Sequence, residues 1–464
     1  MADVQALVSS AASLSSSPEG LAELQSLLES SAATLSSDAN ATMSALESGA
    51  LAPDAHALAH THFLHAVVAA SHSSSAPMHD ASRVHDDETS RFVALATTLL
   101  TRFDRAQVAR NDPSKFATVC GALRDIAIAR QLPTPAIAPM LAAVRRLRPS
   151  PEHLTPQHGM ALHLCVAARF HSAAKSLLDD RVLTCDPSET GLKPEEFLLY
   201  AYYGGVVLAG LGEHERAAEL TLAAATAPAT TTSAIAVAAY KKHALCSLIA
   251  DGEVEPLPQY CPAIVKRHLK AACGEYHALV DACKERSKSG ESGAEKIAKA
   301  AADGAAAFAA EGDAALAALV VKSSTRRDVK RLTETYLTLS LADVAKHAEI
   351  EGGAAAAEAL LVDMIASNEV SASVDQKDGV VRFHDAGADR YASAAMAERL
   401  DEEMKDMMTL ANRVRAAEEA VMEDKHYLQK ATDVLAGPAG GLAGMGRMRV
   451  DSGGDAEIED FVDA

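Results

Sequence analysis

The fold of this chain is decided by residues 329–384, which read VKRLTETYLTLSLADVAKHAEIEGGAAAAEALLVDMIASNEVSASVDQKDGVVRFH. A short helix leads into the β-favouring triplet Leu337–Leu339, and Ser340 can cap a second helix. After the glycine pair at 352–353, a third helix carries apolar residues at helical spacing. Alternating runs on both sides of the Asp-Gly turn at 378–379 predict a hairpin. Helix, strand, two helices and a hairpin, in that order, predict a winged helix.

Two stretches of this segment resemble a known family, whereas the winged-helix order alone is compatible with both DNA binding and protein assembly. The stretches are Arg331–Ala345, RLTETYLTLSLADVA, and Ala372–His384, ASVDQKDGVVRFH. Both are similar to the C-terminal half of the PCI domain, which is found in the proteasome lid, the COP-nine signalosome and a translation initiation factor complex. The resemblance implies a role in the assembly of a protein complex.

A region before the winged helix is similar to one branch of that family, the subunit-three branch of the signalosome. The residues that carry the likeness are Tyr202–Gly205, Ala227-Pro228, Ala239–Lys242 and Ser247–Ile249. The likeness extends over roughly residues 5–435 and departs from the family pattern in the Ala-rich stretch 286–321 and in the tail after Gly437.

That resemblance implies a scaffold subunit without catalytic residues or cofactor. In the signalosome, a different subunit of the metalloprotease type removes the ubiquitin-like modifier from cullins. The implied partners are other PCI and metalloprotease-type subunits and, indirectly, cullin-RING ubiquitin ligases. Two alternatives stay open, a PCI subunit of the proteasome regulatory lid and a winged-helix adaptor that binds nucleic acid.

The composition predicts a mostly α fold in more than one domain. The chain has 464 residues, of which 48% are hydrophobic but only 4% aromatic, so Ala and Leu supply most of the apolar content. Tyr200, Gly204, Ala223 and Pro228 occupy marker positions of a tetratricopeptide-like (TPR-like) helix pair. We therefore expect a right-handed stack of TPR-like helical repeats before the winged helix.

The predicted organisation has five segments. They are N-terminal helical repeats (1–185), a TPR-like half of the PCI domain (186–328), the winged helix with a small three-stranded sheet (329–385), a C-terminal bundle helix (390–435) and a disordered Gly-rich acidic tail (436–464). Within the first segment, the apolar periodicity predicts the helices Ala2–Ser16, Glu19–Leu35, Asp54–Ala70, Thr89–Arg110, Lys115–Arg130 and Pro135–Arg148.

Charge and cysteine usage indicate a soluble protein of the cytoplasm and nucleus. The formal net charge of −20 repels phosphate backbones and disfavours nucleic acid as a partner. Seven cysteines without a C-x-x-C pair are typical of reduced thiols. The N-terminus lacks the pattern of a signal or transit peptide, and no apolar run approaches the ~20 residues of a membrane helix.

One basic cluster departs from the acidic background, at the entrance of the winged helix. Its members are Lys322, Arg326, Arg327, Lys330 and Arg331. The sequence leaves three interpretations open: a solvated helix start, a contact for an acidic neighbouring protein, and a nucleic-acid patch.

Histidines near residue 60 are the candidate metal ligands. They are His56, His60, His62 and His65. His60 and His62 form an H-x-H pair, but Ala70 and Ser73 stand where the signalosome's protease class needs a Ser and an Asp. We therefore predict that these histidines lie on a polar helix face and bind no metal.

Two surfaces are the predicted partner-binding sites. The first is the edge strand Leu337, Thr338 and Leu339, whose unpaired backbone invites pairing with a neighbouring domain. The second is the apolar seam of a predicted helix Tyr391–Gln429, about 39 residues and ~58 Å long. The seam consists of Leu400, Met407, Leu410, Val414, Ala417, Val421 and Leu428. Packing of this helix back onto the winged helix is the alternative.

Overall fold

The computed structural model describes residues 2–15, 18–73, 77–80, 82–111, 113–229, 231–289, 294–384 and 394–429. Within these ranges the chain is mostly helical with one three-stranded sheet, and the predicted fold class is confirmed. Contacts divide the chain between Arg382 and Phe383 into two units, which are described separately. The finer segment limits stay predictions, and the predicted tail lies outside the described residues.

The first helices form the N-terminal half of the larger unit. They are α1 Ala2–Leu14, α2 Pro18–Ser30, α3 Ala32–Ser37, α4 Ala39–Glu47, α5 Ala57–Ser73, α6 Asp87–Arg102, α7 Arg105–Asn111, α8 Pro113–Ala129, α9 Thr134–Leu147, α10 Pro156–Ala167, α11 His171–Leu178 and α12 Pro187–Thr190. The predictions of one helix over Glu19–Leu35 and one over Thr89–Arg110 are wrong, because each is two helices, and α4 was not predicted.

The break between α6 and α7 is held by contacts from a distant helix. Arg146 Nη1 of α9 donates to the carbonyl of Phe103 at 3.2 Å, directly after α6. In return, Arg105 Nε of α7 donates to the carbonyl of Leu147 at 3.0 Å, at the end of α9. Each arginine therefore satisfies a backbone acceptor that a helix end leaves without an intrahelical partner.

A second group of helices continues the stack. It comprises α13 Pro194–Leu211, α14 His214–Thr226, α15 Ala234–Ala250, α16 Ala263–Ala272 and α17 Gly274–Ser289. Helices α13 and α14 pack closely because α13 carries Gly204 and Gly205 at the contact. A Cβ on Gly205 would lie 2.2 Å from Cγ2 of Thr221, and one on Gly204 would lie 2.5 Å from Cδ2 of Leu220. Gly204, a marker position of the TPR-like pattern, and its neighbour Gly205 are thus the residues that let two helix backbones approach.

The winged helix follows three Ala-rich helices. The elements are α18 Ala294–Asp303, α19 Ala305–Ala310, α20 Ala314–Thr335, β1 Thr338–Ser340, α21 Leu341–His347, α22 Gly353–Ala366, β2 Ala372–Asp375 and β3 Val380–Phe383. Ser340 caps α21 as predicted, since its Oγ accepts a hydrogen bond from the amide of Asp343 at 3.1 Å. The short helix predicted to lead into Leu337, within residues 329–336, is wrong in its start because α20 begins at Ala314.

The last described element is the long helix α23, Ala394–Glu423. It has 30 residues and spans about 45 Å at ~1.5 Å per residue. The predicted helix Tyr391–Gln429 is therefore too long at its C-terminal end, and its first residues, 391–393, lie outside the described ranges. Among the described residues no helix combines the length and hydrophobicity needed to cross a membrane.

Candidate assembly surfaces

The strand β1 lies at an edge of the sheet, whose strand order is β1-β3-β2. It runs antiparallel to β3, with Thr338 opposite Arg382, Leu339 opposite Val381 and Ser340 opposite Val380. The strand begins at Thr338, so the predicted inclusion of Leu337 is wrong. Leu337 is instead the exposed residue just before the strand, with 80% of its surface accessible.

The hydrogen-bond alternation of an antiparallel pair tells which backbone groups of β1 face away from β3. The amide of Leu341 donates to the carbonyl of Gly379 at 2.8 Å, which makes that pair a hydrogen-bonded one. Such pairs recur every second residue, so Leu339 also directs its amide towards β3. Thr338 and Ser340 direct theirs away from the sheet, towards the side on which a further strand could pair.

Because of this geometry, we expect one proline variant to affect assembly and another to affect folding. Thr338→Pro removes one outward amide at the first residue of the strand, where proline is tolerated, so we expect weaker incorporation into a complex with unchanged folding. Leu339→Pro removes an amide that pairs with β3 and should destabilise the sheet itself by roughly 1–3 kcal/mol. Co-purification with partner subunits and thermal melting of the isolated chain measure the two effects. Equal complex yields for Thr338→Pro and wild type would exclude this edge as the contact.

The predicted apolar seam of α23 is exposed throughout. The exposed fractions are 57% for Leu400, 65% for Met407, 40% for Leu410, 60% for Val414, 53% for Val421 and 50% for Leu428, and Ala417 is exposed as well. No residue of α23 is buried. Burying a Leu, Val or Met side chain stabilises by about 1.5–3 kcal/mol, so this surface favours association with other helices.

Two features of this helix were not predicted from the sequence. Met404, Met408 and Met422 are also more than half exposed and widen the apolar face beside the seam. In addition, α23 ends at Glu423, and the carboxylate of Asp424 accepts from the amides of His426 (2.6 Å) and Tyr427 (3.2 Å). Asp424 thus caps a new helical turn at 425–429, which carries Leu428.

The basic cluster does not form a solvated helix start, since its residues lie between the third and fifth turns of α20, which begins at Ala314. Arg327 Nη1 donates to the carbonyls of Leu248 (2.7 Å) and Ile249 (3.2 Å), and burial lowers the pKa of its guanidinium. Arg326 forms ion pairs with Asp363 and, at 2.5 Å, with Glu369. These two arginines therefore attach α20 to α15 and to the winged helix, and only Lys322, Lys330 and Arg331 of the cluster are exposed.

Two of the four candidate metal ligands, His60 and His62, are buried, and the predicted polar helix face is wrong for these two. His60 is 2% and His62 is 4% exposed. His60 Nε2 lies 2.8 Å from the carbonyl of Leu51, and burial lowers the pKa of its imidazole. Helix α5 is packed among other helices on nearly every side. In the described part of the chain, no group of three or more His, Cys, Asp or Glu residues could hold a metal ion.

We expect the purified chain to contain no stoichiometric metal and to release no modifier from a modified cullin. His60 is held by a carbonyl inside the core rather than by a metal-binding arrangement. Elemental analysis and a cleavage assay with and without added zinc measure this, with an active metalloprotease-type isopeptidase as the positive control. Release that a chelator abolishes would contradict the prediction.

A helical array followed by a winged helix defines a protein of the PCI class. Residues 308–385 match the PCI domain. Residues 19–265 match the family described as COP9 signalosome complex subunit 3, N-terminal helical repeats.

Two relatives extend that match. COP9 signalosome complex subunit 3 of Arabidopsis thaliana is 31% identical over 453 residues, which are 97% of this chain and 96% of the relative. The protein of the same name from Dictyostelium discoideum is 30% identical over 277 residues, 60% of this chain and 64% of that protein. The chain therefore belongs to the family of COP9 signalosome complex subunit 3, which confirms the resemblance. This family is not known for enzymatic activity, in agreement with the prediction of a non-enzymatic protein.

Proposed function

We propose that this chain is a non-catalytic scaffold subunit of the COP9 signalosome, the complex that removes the ubiquitin-like modifier from the cullin subunits of cullin-RING ubiquitin ligases. The observation that carries the proposal is the apolar face of α23, where Leu400, Met407 and Val414 each expose more than half of their surface. A helix of this kind is suited to a bundle formed with helices of other subunits.

The proposal assigns two contacts to two surfaces. The outward backbone of β1, at Thr338 and Ser340, pairs with or packs against the winged helix of a neighbouring PCI subunit. The seam of α23 enters a helical bundle with other PCI and metalloprotease-type subunits. The chain then contacts cullin-RING ligases indirectly, through the assembled complex, in the cytoplasm and nucleus.

Two alternatives receive less support. A place in the proteasome regulatory lid is disfavoured because the relatives from Arabidopsis thaliana and Dictyostelium discoideum both carry the signalosome name. A nucleic-acid adaptor is disfavoured because Arg326 and Arg327 are occupied by the chain's own carboxylates and carbonyls.

Affinity purification of the tagged chain from cells tests the proposal. We expect the other PCI subunits and the metalloprotease-type subunits of the signalosome to co-purify, and the eluate to remove the modifier from cullins. Recovery of proteasome lid subunits instead would support the first alternative. Binding to nucleic acid that weakens with salt and with substitution of Lys330 and Arg331 would support the second.

A further inference from the structure

Two adjoining cavities open on the surface of the larger unit, beside helices α13 and α14. The larger has a volume of about 890 Å³ and lies between the segment 178–185 and the two helices. The smaller, of about 320 Å³, lies between the start of α13, the segment after α14 and α16. Cys185 and Phe197 line both cavities, so the two form one surface feature, called here the α13–α14 groove.

The floor of the groove is apolar. Leu192, Pro194, Leu198 and Val265 are among the residues that line the smaller cavity. In the larger cavity, Leu183 exposes 48% of its surface. An apolar side chain from a partner would remove this surface from water, which is the main source of affinity in concave sites.

The rims of the groove carry charges that the chain leaves unpaired. Asp180 is paired with Arg148 at 2.6 Å and Arg216 with Glu213 at 2.5 Å. Arg181 of the segment 178–185 and Lys193 before α13 also line the cavities, are exposed, and form no ion pair among the described residues. Glu215 and Glu219 line the α14 rim one helical turn apart, are exposed, and have no ion-pair partner among the described residues. The α14 rim therefore carries two carboxylates, those of Glu215 and Glu219, that form no ion pair within the described residues and lie beside an apolar floor.

We propose that the α13–α14 groove binds an amphipathic helix of a partner protein, whose apolar stripe fills the groove and whose Lys or Arg residues face Glu215 and Glu219. Cations three or four residues apart on the bound helix match the spacing of the two carboxylates. This contact is separate from the β1 edge and the α23 seam, and it does not depend on the signalosome assignment.

A fluorescent label on Cys185 reports occupancy of the groove in the full-length chain. Cys185 is exposed, whereas the other six cysteines are buried, so a maleimide dye selects it. The probe is a helical peptide of about 16 residues, ~24 Å long, with a leucine stripe flanked by lysines. A second peptide has the same leucines and glutamates in place of the lysines.

Charge variants separate the groove from general attraction to an acidic protein. Glu215→Lys with Glu219→Lys reverses the rim, and Leu183→Glu places a charge on the exposed part of the floor. The matched control is Glu19→Lys with Glu23→Lys, two exposed glutamates one turn apart on α2 that give the same change in net charge. Both pairs include a first-turn glutamate of their helix, so their effects on helix stability are alike.

We expect the lysine peptide to shift the Cys185 signal with micromolar affinity and the glutamate peptide to leave it unchanged. The rim and floor variants should each weaken binding at least about tenfold, whereas the α2 control should bind like wild type. No response to the lysine peptide, or equal weakening by the rim and α2 variants, would overturn the proposal. A signal that changes with protein concentration alone would also overturn it, since the occupant would then be a second copy of the chain.

Discussion

Replacing Val414 and Val421 by Asp is expected to abolish incorporation of the chain into its complex while leaving its own melting temperature unchanged. Both side chains are more than half exposed on α23, so a carboxylate there stays hydrated in the isolated chain. In a helical bundle the same carboxylates would be taken out of water without a partner, at a cost of several kcal/mol each. Co-purification of tagged variants from cells, with thermal melting followed by circular dichroism, measures both effects.

The control for this double variant carries the same added charge on the other side of the helix. Ala416 and Ala420 are exposed and lie well away from both the seam and the additional methionines. Ala416→Asp with Ala420→Asp should therefore assemble like wild type. If the seam variant also assembles normally, the seam is not an interface between subunits. If the seam variant unfolds, the seam stabilises the isolated chain itself, as expected for a helix that packs on its own winged helix.

The features that could be predicted from sequence are those fixed by neighbours in the chain. Ser340 accepts from the amide three residues on, and the Asp-Gly pair at 378–379 closes a two-strand hairpin, so both signals are local. The apolar spacing from Leu400 likewise needs only the helical period. The cap at Asp424 is also a local signal. It was not predicted, because the apolar spacing continues to Leu428 and indicates one unbroken helix.

The features that could not be predicted depend on distant residues. The break after Phe103 is held by Arg146, and the apolar periodicity of Thr89–Arg110 contains no sign of that contact. His60 and His62 look polar in sequence, yet α5 is surrounded by helices and one of the rings bonds to the carbonyl of Leu51. The α13–α14 groove needs three chain segments at once, so its residues form no motif.

A buried ion pair connects the helical array to the helix that enters the winged helix. Asp313, just before α20, is 1% exposed and pairs with Lys242 of α15, whose side chain is 12% exposed. Tyr276 of α17 donates its hydroxyl to Asp313 Oδ2 at 2.8 Å. Burial and this hydrogen bond raise the pKa of the Tyr276 phenol. Three helices therefore depend on one carboxylate for the pairing of their polar groups.

Asp313→Ala is expected to lower the free energy of unfolding by about 3–5 kcal/mol, because it leaves the Lys242 ammonium and the Tyr276 hydroxyl buried without their partner. The adjacent pair of Lys241 and Glu311 is the control, since its N–O distance is 2.6 Å but the Glu311 side chain is 44% exposed. Glu311→Ala should cost only about 0.2–1 kcal/mol. Lys242→Met combined with Asp313→Leu should recover much of the loss, since an apolar pair leaves no buried charge. Chemical denaturation followed by circular dichroism measures the free energy of unfolding of the wild type, the two alanine variants and the double variant. If Asp313→Ala and Glu311→Ala lower it by similar amounts, the Asp313 contact adds no more stability than a surface ion pair.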